Sequence, residues 1–340
     1  MSDRSRPSAV IYGVSGTVLT AAERGFLARA NPLGFIVFKR NCETPAQVRT
    51  LIDAMRTAVG RPDAPVLVDQ EGGRVTRFKP PHWRPAPAAG RFARLARRDL
   101  QEATEATRLN ARLIAAELAE VGVTVNCLPV LDLALEGAHD VIGDRAFGGD
   151  PKTVTALGGA TAAGLLDGGV LPVMKHMPGH GRSLVDSHEK LPVVDADLAT
   201  LEATDFVPFR ALATLPWGMT GHVVYTAIDA RPATLSPVVI DRVIRGHIGF
   251  KGLLLTDDIG MGALPGRLGE RTRASLAAGC DVVVHCTGDM AEMVEVAAAA
   301  EPLTDAALAR AAEGERRRGR PQPIDFSAIA ARVDQLLAAA

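Results

Sequence analysis

A chain of 340 residues is long for one ordinary domain but usual for a (β/α)8 barrel with insertions, and 47% hydrophobic residues are enough for a large core. A formal net charge of −1 supplies no global basic field for nucleic acid and no acidic excess of the kind that keeps a chain disordered. The four cysteines, Cys42, Cys127, Cys280 and Cys286, form no CxxC pair, which argues against a zinc framework or a disulfide scaffold.

Met1–Pro7 is polar and lacks the apolar stretch of a signal peptide, and no apolar run approaches the ~18 residues of a spanning helix, so the expected address is the cytoplasm. Ala9–Tyr12 reads as a first strand and Thr20–Ala30 as a helix. Gly34–Phe38 is a second strand. The helix after Thr44 runs to Ala58, with Pro45 in its first turn, where a missing N–H costs little. Val66–Asp69 is a third strand, followed by a long loop carrying Pro80, Pro81, Pro85 and Pro87. Leu109, Leu113, Ile114 and Leu118 fall at helical spacing within Leu100–Val121. Thr124–Leu131 is the fourth strand, Pro151–Asp167 a helix and Val170–Met174 the fifth strand. A helix over Asp197–Leu212 leads to the sixth strand, Gly218–Val224. Another over Pro237–Ile248 leads to the seventh, Gly252–Thr256. A third over Gly269–Ala278 leads to the eighth, Asp281–Val284.

Eight such units with near-continuous apolar strands predict an α/β fold, a single (β/α)8 TIM-type barrel with additional C-terminal helices. The expected organisation is one domain over residues 1–340, with a barrel core at about 9–300 and a helical tail at about 301–340. The tail is interrupted at Glu315–Pro321, a basic stretch that reads as a solvated connector, the alternative being an anion or nucleic-acid site. Cys127 and Cys286 lie in apolar runs and read as core residues.

Barrel enzymes keep their chemistry at the C-terminal ends of the strands. Lys175-His176-Met177-Pro178-Gly179-His180-Gly181-Arg182-Ser183-Leu184-Val185-Asp186-Ser187-His188 follows the fifth strand and gathers three histidines, an aspartate and a lysine. Asp186 and His188, one residue apart, suit a carboxylate that fixes an imidazole tautomer. Gly179 and Gly181 would let the loop act as a flap. A metal site using His176, His180, Asp186 and His188 is the rival reading. The third strand runs into Asp69-Gln70-Glu71-Gly72-Gly73, with Arg77 beyond. Asp69 suits sugar hydroxyls and Arg77 a carbonyl or carboxylate; the alternative is an ion pair that fixes the loop. Asp132 follows the fourth strand. Arg145, in Ile142-Gly143-Asp144-Arg145-Ala146-Phe147, is placed to reach the cavity or to pair with Asp144. His222 on the sixth strand is a weak ligand candidate. At Thr256-Asp257-Asp258, strand alternation turns one carboxylate inward, as a nucleophile, and the other outward, as a cap.

Taken together, Lys175–Gly181 with Asp186-Ser187-His188, Asp69–Arg77, Ile142–Phe147 and Thr256-Asp257-Asp258 resemble, in the same order, glycoside hydrolase family 3 in its bacterial β-N-acetylglucosaminidase branch. The resemblance spans Ala9 to Cys286. It implies a retaining exo-β-N-acetylglucosaminidase, with Asp257 as nucleophile, His188 as general acid/base and Asp186 as the partner of His188. It implies Asp69, Arg77, Arg145, Lys175 and His176 as contacts to the N-acetylglucosamine ring. It further implies a cytoplasmic role in cell-wall recycling on muropeptides, a monomer, no cofactor, no metal, and neither nucleic acid nor membrane as partner. The departure from the family is Met177, where Phe is usual, which is expected to change packing and not chemistry. Two readings stay open beside it: a metal-dependent barrel hydrolase, and an inactive sugar-binding protein on the same scaffold.

Overall fold

The computed structural model describes residues 6–137, 139–187 and 190–338. His188, the expected acid/base, lies outside them. The strands, in chain order, are β1 Ser8–Tyr12, β2 Pro32–Val37, β3 Val66–Val68, β4 Val125–Asn126, β5 Leu171–Met177, β6 Val193–Val194, β7 Trp217–Thr220, β8 Val224–Tyr225, β9 Leu253–Asp258 and β10 Val282–His285. Eight of them close a barrel in the order β1-β2-β3-β4-β5-β7-β9-β10, every neighbouring pair parallel, while β6 and β8 pair separately.

The strands are apolar on both faces because both are covered. One set, including Ile11, Ile36, Leu67, Val173, Trp217, Leu253, Leu255 and Val284, fills the barrel interior. The alternate residues, such as Val10, Val37, Met174 and Leu254, meet the surrounding helices. Side chains short enough to reach back cap the helices. Thr20 Oγ1 accepts the Glu23 N–H at 3.1 Å, and the Glu23 carboxylate accepts the Thr20 N–H at 2.8 Å, closing a capping box before Ala21–Ala30. Thr44 caps Pro45–Val59, and Asp150 caps Pro151–Asp167.

The structure departs from the sequence expectations in five places. The long loop after β3 contains a helix, Ala89–Arg98, with Phe92 and Leu95 buried beneath it. The fourth strand shrinks to Val125–Asn126, because Pro129 has no N–H for a ladder, although Val130 still bridges to Lys175. The fifth strand runs on to Met177, so Lys175 and His176 belong to the barrel wall and not to the loop. The helix expected over 197–212 is broken at Thr204–Asp205 into Leu198–Ala203 and Phe206–Ala211. Helix Asp305–Arg318 includes three of the four arginines assigned to a connector, and Arg316 and Arg318 pair with Glu313 and Glu315 on the same helix.

That last helix closes the N-terminal end of the barrel. Gly314 lies against the buried Trp217 ring, where an added Cβ would come within 2.4 Å of Nε1. No described helix is long and apolar enough to cross a membrane.

Candidate active site

At the opposite end the strand termini surround a cavity of about 310 Å³, the size of a small-ligand pocket. Its floor is a chain of alternating charges. Lys175 Nζ sits 2.8 Å from Asp69 Oδ1 and 2.7 Å from Glu71 Oε1. Arg77 holds the other oxygen of Asp69 at 3.0 Å. Arg145 grips Glu71 with two parallel N–H bonds of 2.8 and 2.9 Å. Burial alone would raise both carboxyls, but Lys175 with Arg77 holds Asp69 well below the usual range, and Lys175 with Arg145 holds Glu71 at about 2. The same carboxylates outweigh the burial of Lys175 and raise its pKa, so the cluster stays fully ionised.

Both Lys175 and His176 line the cavity although they are neighbours on one strand. The register of β5 against β7 shifts between Met174 and Met177, and such an irregularity re-aims side chains. His176 Nδ1 lies 2.6 Å from Asp132 Oδ2. His176 Nε2 faces Asp257 Oδ2 at 4.0 Å.

On β9 the two carboxylates do not separate as strict alternation predicts, because both Asp257 and Asp258 border the cavity. Leu253, Leu255 and Asp257 share the inward face, and Asp257 lines the cavity. Burial pushes the Asp257 carboxyl up, but the charge that His176 and His222 carry when protonated, with the N–H of Asp258, outweighs it and leaves the group below the usual carboxylate range. Asp258 closes the turn instead: its Oδ1 accepts the N–H groups of Gly260 at 2.9 Å and Cys286 at 3.2 Å, and burial raises it to about 6. An ionised, half-buried carboxylate at the cavity wall, flanked by a cation-rich floor, suits attack on an electron-poor carbon between hydrogen-bonded hydroxyls.

Residues 16–314 match the model of the glycosyl hydrolase family 3 N-terminal domain. The chain belongs to glycosyl hydrolase family 3. A β-hexosaminidase of Alkalilimnicola ehrlichii is 43% identical over 281 residues, covering 82% of this chain and 80% of its own. A β-hexosaminidase of Stenotrophomonas maltophilia is 38% identical over 303 residues, covering 88% and 89%. NagZ from Neisseria gonorrhoeae, solved with N-trifluoroacetyl-D-glucosamine, superposes with a TM-score of 0.88 at 31% identity over 98% of each chain. The protein is thus a glycoside hydrolase of the β-hexosaminidase kind.

In this family 3 hydrolase the sequence-predicted residues Asp69, Arg77, Arg145, Lys175, His176 and Asp257 converge on one cavity. Asp144 does not pair with Arg145; it meets Arg74 at 3.3 Å. His222 is held away from the cavity by two bonds, accepting from Thr234 Oγ1 at 2.8 Å and donating Nε2–H to the Asp258 carbonyl at 2.9 Å. Cys286, expected in the core, is half-buried at the cavity wall. Met177 turns away from the cavity into the layer between strand and helix.

Two residues were missed. Glu71 is the second anchor of Lys175, and its signal was present: Asp69 and Glu71 are two apart at a strand end and so share a face. Asp132 was noticed without a role, and nothing local links it to His176, 44 positions later.

The glycines of the loop after β5 serve packing. A Cβ on Gly181 would lie 2.2 Å from the Leu133 carbonyl oxygen, and Gly179 has φ of 142°. Tyr225 donates to the Gly179 carbonyl at 2.6 Å, Asp132 accepts the His180 N–H at 2.6 Å, and Arg182 pairs with Asp205 at 2.7 Å. These contacts tether the N-terminal part of the loop as far as Arg182. The His180 ring has no hydrogen-bond partner among the described residues, and burial lowers its pKa to about 4. Among the described residues no three metal-ligating side chains converge. Ser187 is buried at the cavity wall and Asp186 is described beside it.

Proposed function

We propose that this hydrolase is a retaining exo-β-N-acetylglucosaminidase that removes a terminal β-linked N-acetylglucosamine. The observation that carries this reading is the placement of Asp257, ionised and inward, opposite the Asp69–Lys175–Glu71–Arg145 floor. Sugar hydroxyls both give and take hydrogen bonds. A floor of alternating carboxylates and cations meets both needs without unpaired charge. Asp69, Arg77, Arg145, Lys175 and His176 would hold the ring in this way.

Asp257 attacks the anomeric carbon while His188, assisted by Asp186, protonates the leaving oxygen. Neutral His188 then activates water to release the sugar from Asp257. Imidazole suits this double role because its ordinary pKa of about 6.5 allows both transfers near neutral pH. It also avoids placing a second carboxylate against an anionic leaving group, which favours muropeptides of cell-wall recycling as the natural substrate. The reading takes the chain as one barrel domain with a helical tail, acting as a cytoplasmic monomer without a cofactor.

The test compares aryl N-acetylglucosaminide with aryl glucoside and reads the anomer of the first product by NMR. Preference for the former with a β-configured product is expected. An α-configured first product, or equal rates on the two sugars, would contradict the reading.

A further inference from the structure

Asp132 sits behind the site, its side chain fully buried. Its Oδ1 accepts two backbone N–H groups, from His176 at 3.2 Å and His180 at 2.6 Å. These bonds tie the end of β5 to the loop after it, and any well-placed acceptor would serve. The contact of Oδ2 is different in kind. It lies 2.6 Å from His176 Nδ1, in the range of a charge-assisted bond. Burial alone would raise the Asp132 carboxyl, but His176 and the His180 N–H hold it at about 2, so it is ionised and can only accept.

An acceptor there decides which ring nitrogen of His176 carries the proton. With the proton on Nδ1, a neutral ring shows a bare Nε2 to the cavity, 4.0 Å from Asp257 Oδ2. With the proton on Nε2, the ring would aim a donor at that oxygen, and a hydrogen bond to a nucleophile lowers its reactivity. The other imidazoles near Asp257 do not exercise this control. Both nitrogens of His222 are engaged by Thr234 and the Asp258 carbonyl, and His180 meets Asp132 through its backbone.

We propose that Asp132 is a positioning residue for the first chemical step: it keeps the proton of His176 on Nδ1, so that Nε2 accepts from a sugar hydroxyl and cannot donate to Asp257. The inference rests on Asp257 being the nucleophile. That reading fails separately, if Asp257→Ala keeps its turnover.

The test begins with the unmodified enzyme, ¹⁵N-labelled on histidine, at pH 8. Long-range ¹H–¹⁵N correlation should show His176 with a protonated Nδ1 and a bare Nε2. A proton on Nε2, or on both nitrogens, overturns the proposal, and this arm needs no variant to fold. In Asp132→Asn the proton should move to Nε2. Its kcat on an aryl N-acetylglucosaminide should fall by about 10- to 100-fold, the rate equivalent of one lost hydrogen bond to a charged group, with KM little changed. In a His176→Gln background the same substitution should add almost nothing, because residues acting as one unit are not additive. An equal loss in both backgrounds would make Asp132 a backbone clip and nothing more.

Discussion

The two ends of the barrel spend the same residue types in opposite ways. At the N-terminal end, Asp281 has its charge fully taken up. Its Oδ2 accepts from Arg245 at 2.8 Å and from the Leu254 N–H at 2.9 Å, and its Oδ1 from Arg310 at 2.5 Å. Only 6% of the side chain is exposed. Arg310 lies on the helix that covers Trp217, so this carboxylate fastens the tail to the barrel floor. At the C-terminal end, Asp257 is 22% exposed and has no guanidinium or ammonium within ion-pair distance among the described residues; its near cation-capable neighbour is His176 at 4.0 Å. Lys175 is two anchors deep in Asp69 and Glu71 instead. The strong cations pair with other carboxylates and leave Asp257, the proposed nucleophile, to dipoles and imidazoles.

That contrast can be broken by substitution. Asp257→Ala should lower kcat on the order of 10⁴-fold or more while leaving the fold intact, since nucleophile loss removes the covalent route. Stopped assays alongside thermal melts check both halves. His188→Ala should cost about 10²- to 10⁴-fold on substrates with poor leaving groups, and less in the first step for a nitrophenyl leaving group that departs without a proton. A uniform loss across leaving groups would remove the proton-transfer role.

Lys175→Met should lower kcat/KM by about 10²-fold, because it strips a donor from the floor and leaves a buried carboxylate short of its partner. It should also shift acid unfolding. Glu71 falls from an ordinary 4.5 to about 2 in the folded protein. Its stabilisation is therefore complete above about pH 4.5 and fades as pH drops toward 2. With Lys175 gone the depression shrinks, so acid unfolding monitored by circular dichroism should begin at a higher pH. The smallest catalytic effect belongs to the closed end: Asp281→Ala should lose about 2–3 kcal/mol in urea denaturation, the scale of an orphaned, partly screened ion pair. Its kcat should stay near that of the parent. If Asp281→Ala abolished activity in a folded protein, the division of labour between the ends would be wrong.

Much of this was legible because it is local. The apolar runs of the strands, the proline in the first turn of Pro45–Val59 and the paired carboxylates that end β9 are all set within a few residues. Helix Ala89–Arg98 escaped notice because it follows a proline-rich loop, starts at Ala88 without a side-chain cap, and shows only Phe92, Ala93 and Leu95 to the core. The fourth strand was read too long because its apolar run continues through Pro129. The link from Asp132 to His176 and the clasp of Arg182 on Asp205 are tertiary, and sequence spacing carries no trace of them. The close approach at Gly181 is tertiary as well, since the Leu133 carbonyl that excludes a Cβ there lies in another segment.

Covalent attachment of the sugar to Asp257 is the most direct consequence of the proposed mechanism. A fluorinated N-acetylglucosaminyl fluoride, activated for the first step and slowed in the second, should trap the glycosyl-enzyme, and peptide mass spectrometry should locate the sugar on Asp257. A label on Asp258, Asp69 or Glu71, or rapid turnover of substrate with inversion and no trapped species, would contradict it.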